Sequence, residues 1–180
     1  MSWNKALITS ELQKHHETFD SFINGLTDEI FDFNKENKWT SGQIQSHLIL
    51  SLKAVKFALK LPKFLLKYLY GQSNRQSRTY DELVARYLKA LDGKKAKAPK
   101  QFNPKKIGSY KRKQNRKKFL KAFKGLIKVT NRWKESDLDL FIVPHPLLGK
   151  LTLREVLYFT IFHVKHHQKQ VEDIAESINK

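Results

Sequence analysis

Four long stretches of the chain carry apolar residues at alternating spacings of three and four, which is the pattern of an amphipathic helix. No stretch shows the alternation of a half-buried strand as a competing pattern. The last stretch is the clearest, and its inner face consists of Leu153, Leu157, Thr160, Val164, His167, Val171, Ile174 and Ile178. Helices of this length most simply bury their apolar faces in a four-helix bundle, so the sequence predicts an all-α fold in one domain spanning residues 1–180.

Capping signals and a proline set the predicted boundaries of the first two helices. The first helix is predicted over residues 3–26, and the second begins at Thr40, which matches a capping box with Gln43. Pro62 is expected to end or kink the second helix, because proline cannot continue the hydrogen-bond ladder. The inner face predicted for the first helix consists of Ile8, Leu12, His15, Phe19, Phe22 and Leu26. On this assignment His16 points to solvent.

The second half of the chain contains a short extra helix and the two remaining long helices. The extra helix is predicted over residues 79–91, and the third long helix contains residues 119–133. The fourth begins at Thr152, with Glu155 as its capping partner. Residues 93–109 are rich in Lys, Pro and Gly and have no helical period, so they read as a long exposed connection. A connection of this length favours a crossover between the second and third long helices over a simple meander.

Basic residues are concentrated in two parts of the chain, whose net charge is +18. Segments 51–78 and 94–121 contain 7 and 13 lysines and arginines, respectively, and no acidic residue. These segments could bind nucleic acid or an anionic membrane surface, although a solvated lysine-rich surface is the simpler explanation. No nucleic-acid motif accompanies them, so direct base readout is not supported. Apolar residues within segment 64–69 could pair two copies of the chain as a homodimer.

Several function classes are excluded or disfavoured by composition. The chain has no cysteine, so it has no disulfide, no thiolate metal ligand and no cysteine nucleophile. The N-terminal residues lack the uninterrupted apolar run of a signal peptide, and we therefore expect a cytoplasmic protein. The most apolar segment, residues 57–71, contains three lysines and a proline, so no membrane span is expected.

Histidines are the residues that carry the strongest indication of chemistry. His167 occupies an inner position of the last helix, and His163 lies one turn earlier on the same side, whereas His166 lies off that face. His47 is close to the inner face of the second helix. Three imidazoles from two helices would form a metal site, and the alternative is that each is a hydrogen-bonded core or surface residue. His15 is a candidate for a fourth ligand, a general base or a group that supports the ligands.

Three sequence blocks resemble the DinB/YfiT-like superfamily. The block WTSGQIQSHL at residues 39–48 is similar to that superfamily's entry into the second helix, and HPLLGKLTLRE at residues 145–155 is similar to its last turn. The block HVKHHQKQ at residues 163–170 matches its H-x-x-x-H-x-x-Q pattern. The resemblance implies a four-helix bundle with a crossing connection. It also implies one divalent metal ion held by three histidines, which are His47, His163 and His167 by motif.

Two further residues in these blocks are candidates for roles around the metal. Gln170 shares the inner side of the last helix and is a candidate for orienting a ligand imidazole, or is simply a surface glutamine. His145 precedes a proline in the turn and could brace that loop or contact substrate. The three imidazoles suit zinc, nickel or iron without distinguishing between them.

The resemblance implies two kinds of chemistry on a small-molecule substrate. One is transfer of a low-molecular-weight thiol such as bacillithiol, mycothiol or glutathione to an electrophile, with the metal activating the thiol. The other is hydrolysis by metal-activated water, which needs a general base that no carboxylate of the matched blocks clearly supplies, although His15 could serve. A third interpretation is a non-catalytic scaffold that uses its basic segments for binding. We expect thiol transfer.

Overall fold

Eight α-helices and one small sheet make up the described parts of the chain, residues 3–34, 38–92 and 99–178 of a computed structural model. The helices are α1 (Lys5–Gly25), α2 (Asp28–Asp32), α3 (Ser41–Lys60), α4 (Lys63–Tyr70), α5 (Tyr80–Asp92), α6 (Arg112–Thr130), α7 (Asp137–Leu140) and α8 (Leu153–Ile178). The strands are β1 (Ile142–His145) and β2 (Gly149–Thr152), and two short 3₁₀ turns cover Lys100–Phe102 and Ser109–Lys111. The prediction of an all-α fold built on four long helices is confirmed.

Capping contacts fix the start and end of α3 where the sequence predicted them. Gln43 donates its backbone N–H to the Thr40 hydroxyl, and the Thr40 backbone N–H donates to the Gln43 side chain, each at 3.2 Å. At the other end, Leu61 and Pro62 have extended backbone, so α3 stops and α4 begins at Lys63. The capping box and the proline therefore act as expected.

The helices α3 and α6 run in the same direction. Near their beginnings the Asn115 side chain donates a 2.7 Å hydrogen bond to Gln45. At the other end the Trp133 indole, just beyond α6, donates a 3.0 Å hydrogen bond to the carbonyl of Leu59 in the last turn of α3. Two parallel helices need a connection that returns along the bundle, so the common direction of α3 and α6 agrees with the predicted crossover.

The helix α1 runs antiparallel to α6 and packs on both α6 and α8. Arg116 near the start of α6 pairs with Asp20 near the end of α1, and Lys5 at the start of α1 reaches the carbonyls of Asn131 and Trp133 beyond the end of α6. A single cluster of buried apolar side chains joins the four long helices. No helix among the described residues has the combined length and apolar character that crossing a membrane requires.

The inner face of α1 passes through His16, so the expectation that His16 is solvated is wrong. The His16 ring is 1% exposed and stacks between Phe119 and Phe123, with centroid distances of 5.8 and 5.5 Å. Its Nδ1 atom lies 2.7 Å from the carbonyl oxygen of Leu12. His15, by contrast, is only partly buried. Helical periodicity allows the next inner position to lie either three residues after Leu12, at His15, or four residues after it, at His16. Packing against the two phenylalanines of α6 selects His16.

The segment before α8 forms an antiparallel hairpin, which the sequence did not predict. Ile142 pairs with Thr152 and His145 pairs with Gly149 at its two ends. Gly149 has a φ of +75°, which favours glycine because it has no Cβ. The strands are four residues long, too short for a period of two to stand out from the surrounding helical patterns. The hairpin leads the chain into Thr152 and Glu155, which cap α8 reciprocally as predicted.

Candidate metal centre

Three buried histidine rings meet between α3 and α8. The Nε2 atom of His163 lies 3.1 Å from Nε2 of His47 and 3.0 Å from Nε2 of His167. The three ligand atoms lie within 4.8 Å of one another, and each residue is 6% exposed. Among the described residues this is the one group of three or more metal-ligating side chains that meets this distance criterion.

The local helical geometry explains why the rings converge. His163 and His167 are separated by one turn of α8 and therefore project from the same side of the helix. His47 lies in the second turn of α3, and Trp39, just before α3, stacks near His167. Trp3, just before α1, donates its backbone N–H to the Tyr158 hydroxyl near the start of α8, and His15 lies close to Lys165, so α1 and α8 run parallel. Because α1 runs antiparallel to α6 and therefore to α3, α3 and α8 run antiparallel. This arrangement brings together the three residues that sequence periodicity had selected.

The contacts on the outer sides of two rings determine where their protons lie. The Nδ1 atom of His47 is 2.8 Å from the backbone carbonyl oxygen of Phe102, and Nδ1 of His167 is 2.8 Å from Oε1 of Gln170. Both acceptors are oxygens that carry no proton, so each Nδ1 is the donor. In a neutral imidazole the Nε2 atom is then left with a free lone pair. Both lone pairs face the centre of the cluster, as metal ligation requires.

Burial keeps the three rings neutral. It is the main cause that lowers the pKa of His47, and it lowers the pKa of His163 well below its ordinary value, with the neighbouring His167 and His47 adding to the effect. Burial and the proximity of His47 lower the pKa of His167 to about 3. Neutral imidazoles are the form that binds metal, so the cluster is ready to accept a cation near neutral pH.

Aromatic side chains form the walls of the cluster. Phe159 stacks on His163 with a centroid distance of 4.8 Å, and Trp39 lies 4.8 Å from His47 and 6.5 Å from His167. Among the described residues, no carboxylate is hydrogen-bonded to any of the three rings. The site therefore offers three nitrogen ligands in an aromatic setting.

The donor set and its spacing fit a divalent transition-metal ion. Histidine nitrogens bind zinc at about 2.0–2.1 Å in tetrahedral geometry, so two nitrogen ligands of one ion are about 3.3–3.4 Å apart. The observed Nε2 separations of 3.0 and 3.1 Å lie within about 0.4 Å of this value. Three neutral imidazoles also leave coordination positions free for a small ligand. The three buried histidines could therefore hold a metal ion.

His145 braces the hairpin and lies behind one wall of the cluster. Its Nδ1 atom accepts hydrogen bonds from the backbone N–H groups of Leu147 and Leu148, at 3.2 and 3.1 Å. Its ring packs against Phe159 at a centroid distance of 4.3 Å, and Phe159 in turn stacks on His163. Burial lowers the pKa of His145 to about 4. These contacts match the loop-bracing role considered for His145.

His15 and Glu155 each form hydrogen bonds with charged residues other than the three central histidines. His15 pairs with Glu11 at 3.0 Å on α1, and none of its hydrogen bonds or ring contacts in the described chain reaches the three central histidines. Glu155 is fully buried and accepts hydrogen bonds from Arg75 at 2.6 and 2.8 Å and from Arg78 at 3.0 Å. The sequence interpretation of Glu155 as a cap was correct but omitted both arginines.

The contact of His47 with Phe102 could not be foreseen from the residue types. Phe102 contributes a backbone carbonyl, which every residue has, and it lies in the connection that showed no periodicity. Residues 93–98 of that connection lie outside the described residues. The Gln170 contact, by contrast, follows from its position three residues after His167 on the same helix.

Comparison with known proteins identifies the family of the chain. No curated protein matches the chain in sequence. A sequence model described as "DinB superfamily" matches residues 11–171, a range that contains all three central histidines and the whole of α3 and α6. Because this match covers well over half of the chain, the protein belongs to the DinB superfamily.

Proposed function

We propose that the protein binds one divalent metal ion through His47, His163 and His167 and uses it to transfer a low-molecular-weight thiol to an electrophile. The observation that carries this proposal is the convergence of three neutral, buried Nε2 atoms from rings to which no carboxylate of the described residues is hydrogen-bonded. When bound there, a divalent ion would stabilise the thiolate form of a coordinated thiol near neutral pH.

The chain's own residues would hold and orient the reacting groups. The Phe102 carbonyl and Gln170 fix the ring orientations of His47 and His167, so the ligand atoms need little rearrangement before binding. Trp39 and Phe159 restrict the access of water to the cluster. In the transfer itself, the thiol proton passes to solvent, a sulfur–carbon bond forms, and the leaving group of the electrophile departs.

The surroundings of the cluster favour thiol transfer over hydrolysis. A hydrolase needs a general base within hydrogen-bond reach of the attacking water. His15, the base considered from the sequence, is hydrogen-bonded to Glu11, and no carboxylate among the described residues is bonded to the three rings. Because the chain has no cysteine, the reacting sulfur must come from a substrate. Bacillithiol is the first thiol that we would test, and a reducing cytoplasm is the compartment that such a thiol requires.

The test combines metal content with thiol consumption. Untagged protein is incubated with zinc, nickel or iron(II), dialysed and measured by elemental analysis, beside the His47→Ala/His163→Ala/His167→Ala variant. The matched control is His15→Ala, which removes a histidine outside the cluster. We expect about one ion per chain in the natural protein and in the control, and none in the triple variant.

Activity is then measured with the metal-loaded proteins. Thiol consumption is followed with bacillithiol or glutathione and a chlorinated aromatic electrophile, and ester hydrolysis is measured in parallel. Thiol transfer that requires the metal supports the proposal. Ester hydrolysis without thiol transfer would favour the hydrolase, and loss of that hydrolysis in His15→Ala would assign the base.

A further inference from the structure

Three of the helices contain basic residues and no acidic ones. Together α3, α4 and α6 carry 13 lysines and arginines without a single aspartate or glutamate. Both arginines of these helices are used within the fold, since Arg112 pairs with Asp28 and Arg116 pairs with Asp20. Among the eleven lysines of these helices only Lys63 has a carboxylate partner in the described part of the chain. Of the other ten, all but the half-buried Lys56 are exposed and remain available to an external anion.

Large apolar side chains are exposed among these lysines. Phe57 is 66% exposed, Phe64 75%, Tyr68 84% and Leu69 49%. An isolated exposed apolar residue is ordinary, but several grouped at one end of two consecutive helices indicate an interaction site. We call this group the lysine–aromatic surface, and it consists of Lys53, Phe57, Lys60, Phe64, Lys67, Tyr68 and Leu69.

The helical register places these residues on the outside of two consecutive helices, α3 and α4. Lys53, Phe57 and Lys60 are spaced four and three apart, so they share one face of α3. Phe64 and Tyr68 are likewise one turn apart on α4. The buried Leu66 packs α4 onto the bundle, which leaves Phe64 and Tyr68 on the opposite, outer side.

Two contacts of Lys63 hold α4 in this orientation. Its ammonium group pairs with Asp137 and lies 5.7 Å from the centroid of the Trp133 ring. The hairpin adds a further contact, because Lys150 donates a hydrogen bond to the carbonyl of Tyr70 at the end of α4. The exposed aromatic residues thus project from a helix that is anchored at both ends.

More lysines flank the surface on α6. The side chain of Lys56 lies against Gly125. A Cβ atom added to Gly125 would be 3.2 Å from the Cδ atom of Lys56. The C-terminal halves of α3 and α6 are therefore in contact, and the exposed residues Lys121, Lys124 and Lys128 lie within about one turn of Gly125 on α6. These lysines extend the positive charge from α3 to a second, parallel helix.

We propose that the lysine–aromatic surface docks the protein onto an anionic lipid bilayer. The lysines would contact the phosphate groups of the lipids, while Phe64, Tyr68 and Leu69 would enter the interfacial region between headgroups and acyl chains. Lysine next to aromatic and leucine side chains is the composition of segments that lie in a membrane interface without crossing it.

The side-chain chemistry favours a bilayer over the other two candidates. A nucleic acid would be expected to use arginine forks and planar stacking partners, but both arginines of these helices are paired internally and Leu69 cannot stack. A second copy bound by the same surface would bring lysines against lysines with no carboxylate to pair them. An anionic bilayer complements both the charge and the exposed apolar side chains.

The surface extends away from the histidine cluster. Lys53 and Lys60 are 6 and 13 residues after His47 on α3, which corresponds to about 9 and 20 Å along the helix. Substitutions on this surface should leave metal binding unchanged, so this inference does not depend on the proposed function. A negative result for lipid binding would not affect the proposed metal site, and a negative result for metal binding would not affect the lipid-binding proposal.

The experiment is co-sedimentation of the purified protein with vesicles. The vesicles contain phosphatidylcholine alone or phosphatidylcholine with one third phosphatidylglycerol, each at low and at physiological salt. One variant is Phe64→Ser/Tyr68→Ser, with Leu7→Ser/Leu88→Ser as control, since these leucines are exposed elsewhere. The other is Lys53→Gln/Lys60→Gln/Lys67→Gln, with Lys14→Gln/Lys89→Gln/Lys169→Gln as control for the loss of three charges. Anisotropy with a labelled single-stranded and a labelled duplex oligonucleotide is measured alongside.

We expect sedimentation with the anionic vesicles only, and weaker binding at higher salt. Each surface variant should reduce the partition coefficient about tenfold or more, and neither control should change it by more than about twofold. Equal binding of surface and control variants would overturn the proposal. So would tight oligonucleotide binding without sedimentation, which would assign the surface to nucleic acid.

Discussion

His47 and Phe102 are joined by a 2.8 Å hydrogen bond between ring Nδ1 and a backbone carbonyl, although they are 55 residues apart in the chain. The bond links the first part of α3 to the connection that returns along the bundle. It fixes the protonated nitrogen of His47 on the outer side of the ring. The crossover thus contributes directly to the histidine cluster, in addition to joining two helices.

Gln170 should support metal binding through His167. Its Oε1 atom accepts the Nδ1 proton of His167, and loss of such a partner weakens metal affinity by about 10- to 100-fold. We therefore expect the Gln170→Ala variant to bind zinc at least about tenfold more weakly in a competition titration with a chromogenic chelator. Gln168→Ala is the matched control, because Gln168 bonds to Glu172 on the same helix. Equal affinities of the two variants would contradict this role.

Trp39 should report metal binding through its fluorescence. Its ring lies 4.8 Å from the His47 ring, so a paramagnetic ion held by the cluster would quench it. Titration with cobalt or nickel should remove roughly one third of the emission, because Trp39 is one of three tryptophans. The response should disappear in Trp39→Phe and persist in Trp133→Phe. In the natural protein the Trp133 indole bonds to Leu59 at the far end of α3. Quenching that survives in Trp39→Phe would place the ion elsewhere.

His16 should make the fold sensitive to acid. Burial lowers its pKa to about 4, against about 6.5 in an unfolded chain, so the unfolded state takes up the proton first. The free energy of unfolding should therefore fall as the pH drops from about 6.5 to about 4, by up to about 3 kcal/mol from this residue. Denaturation of the His16→Leu variant across this range should show a correspondingly weaker dependence on pH. If the free energy of unfolding depended on pH equally in the natural protein and the variant, His16 would not be a cause of the acid sensitivity.

Glu155 should be important for stability. Burial alone would raise its pKa, but hydrogen bonds from Arg75 and from the backbone of Arg78 and Thr152 outweigh burial and lower it. Replacement by glutamine leaves two partly buried arginines without their carboxylate, and we expect a loss of about 2–4 kcal/mol in the free energy of unfolding. Urea denaturation at neutral pH measures this loss.

The matched control for this substitution is Glu82→Gln, which alters an exposed cap. Glu82 bonds to Thr79 at the start of α5, and caps of this kind contribute about 1 kcal/mol. Similar losses in the two variants would mean that the arginine contacts of Glu155 add little to its capping role.

The predictable features were those encoded within one helix. Capping pairs such as Thr40 with Gln43, and the shared side of His163 and His167, follow from the geometry of a single helix. Which of two adjacent histidines faces inward on α1 depends on the partner helix, and only the packing of Phe119 and Phe123 selects His16. Periodicity cannot make that choice.

Contacts between distant segments left little or no trace in the sequence. Arg75 and Arg78 lie about 80 residues before Glu155, and nothing in their spacing indicates a shared partner. The Phe102 carbonyl is independent of side-chain type. The hairpin could not be predicted from periodicity, because its strands are four residues long and lie next to a strongly helical segment.

The parallel alignment of α3 and α6 also has an electrostatic consequence for the backbone. Each helix carries partial negative charge at its C-terminus, and here two such ends lie side by side. Lys5, reaching the carbonyls beyond α6, and the indole of Trp133, bonded to the carbonyl of Leu59, offset part of that charge. Lys60 and Lys128, in the last turns of α3 and α6, also lie where positive charge is favourable, so these lysines stabilise the two helices themselves.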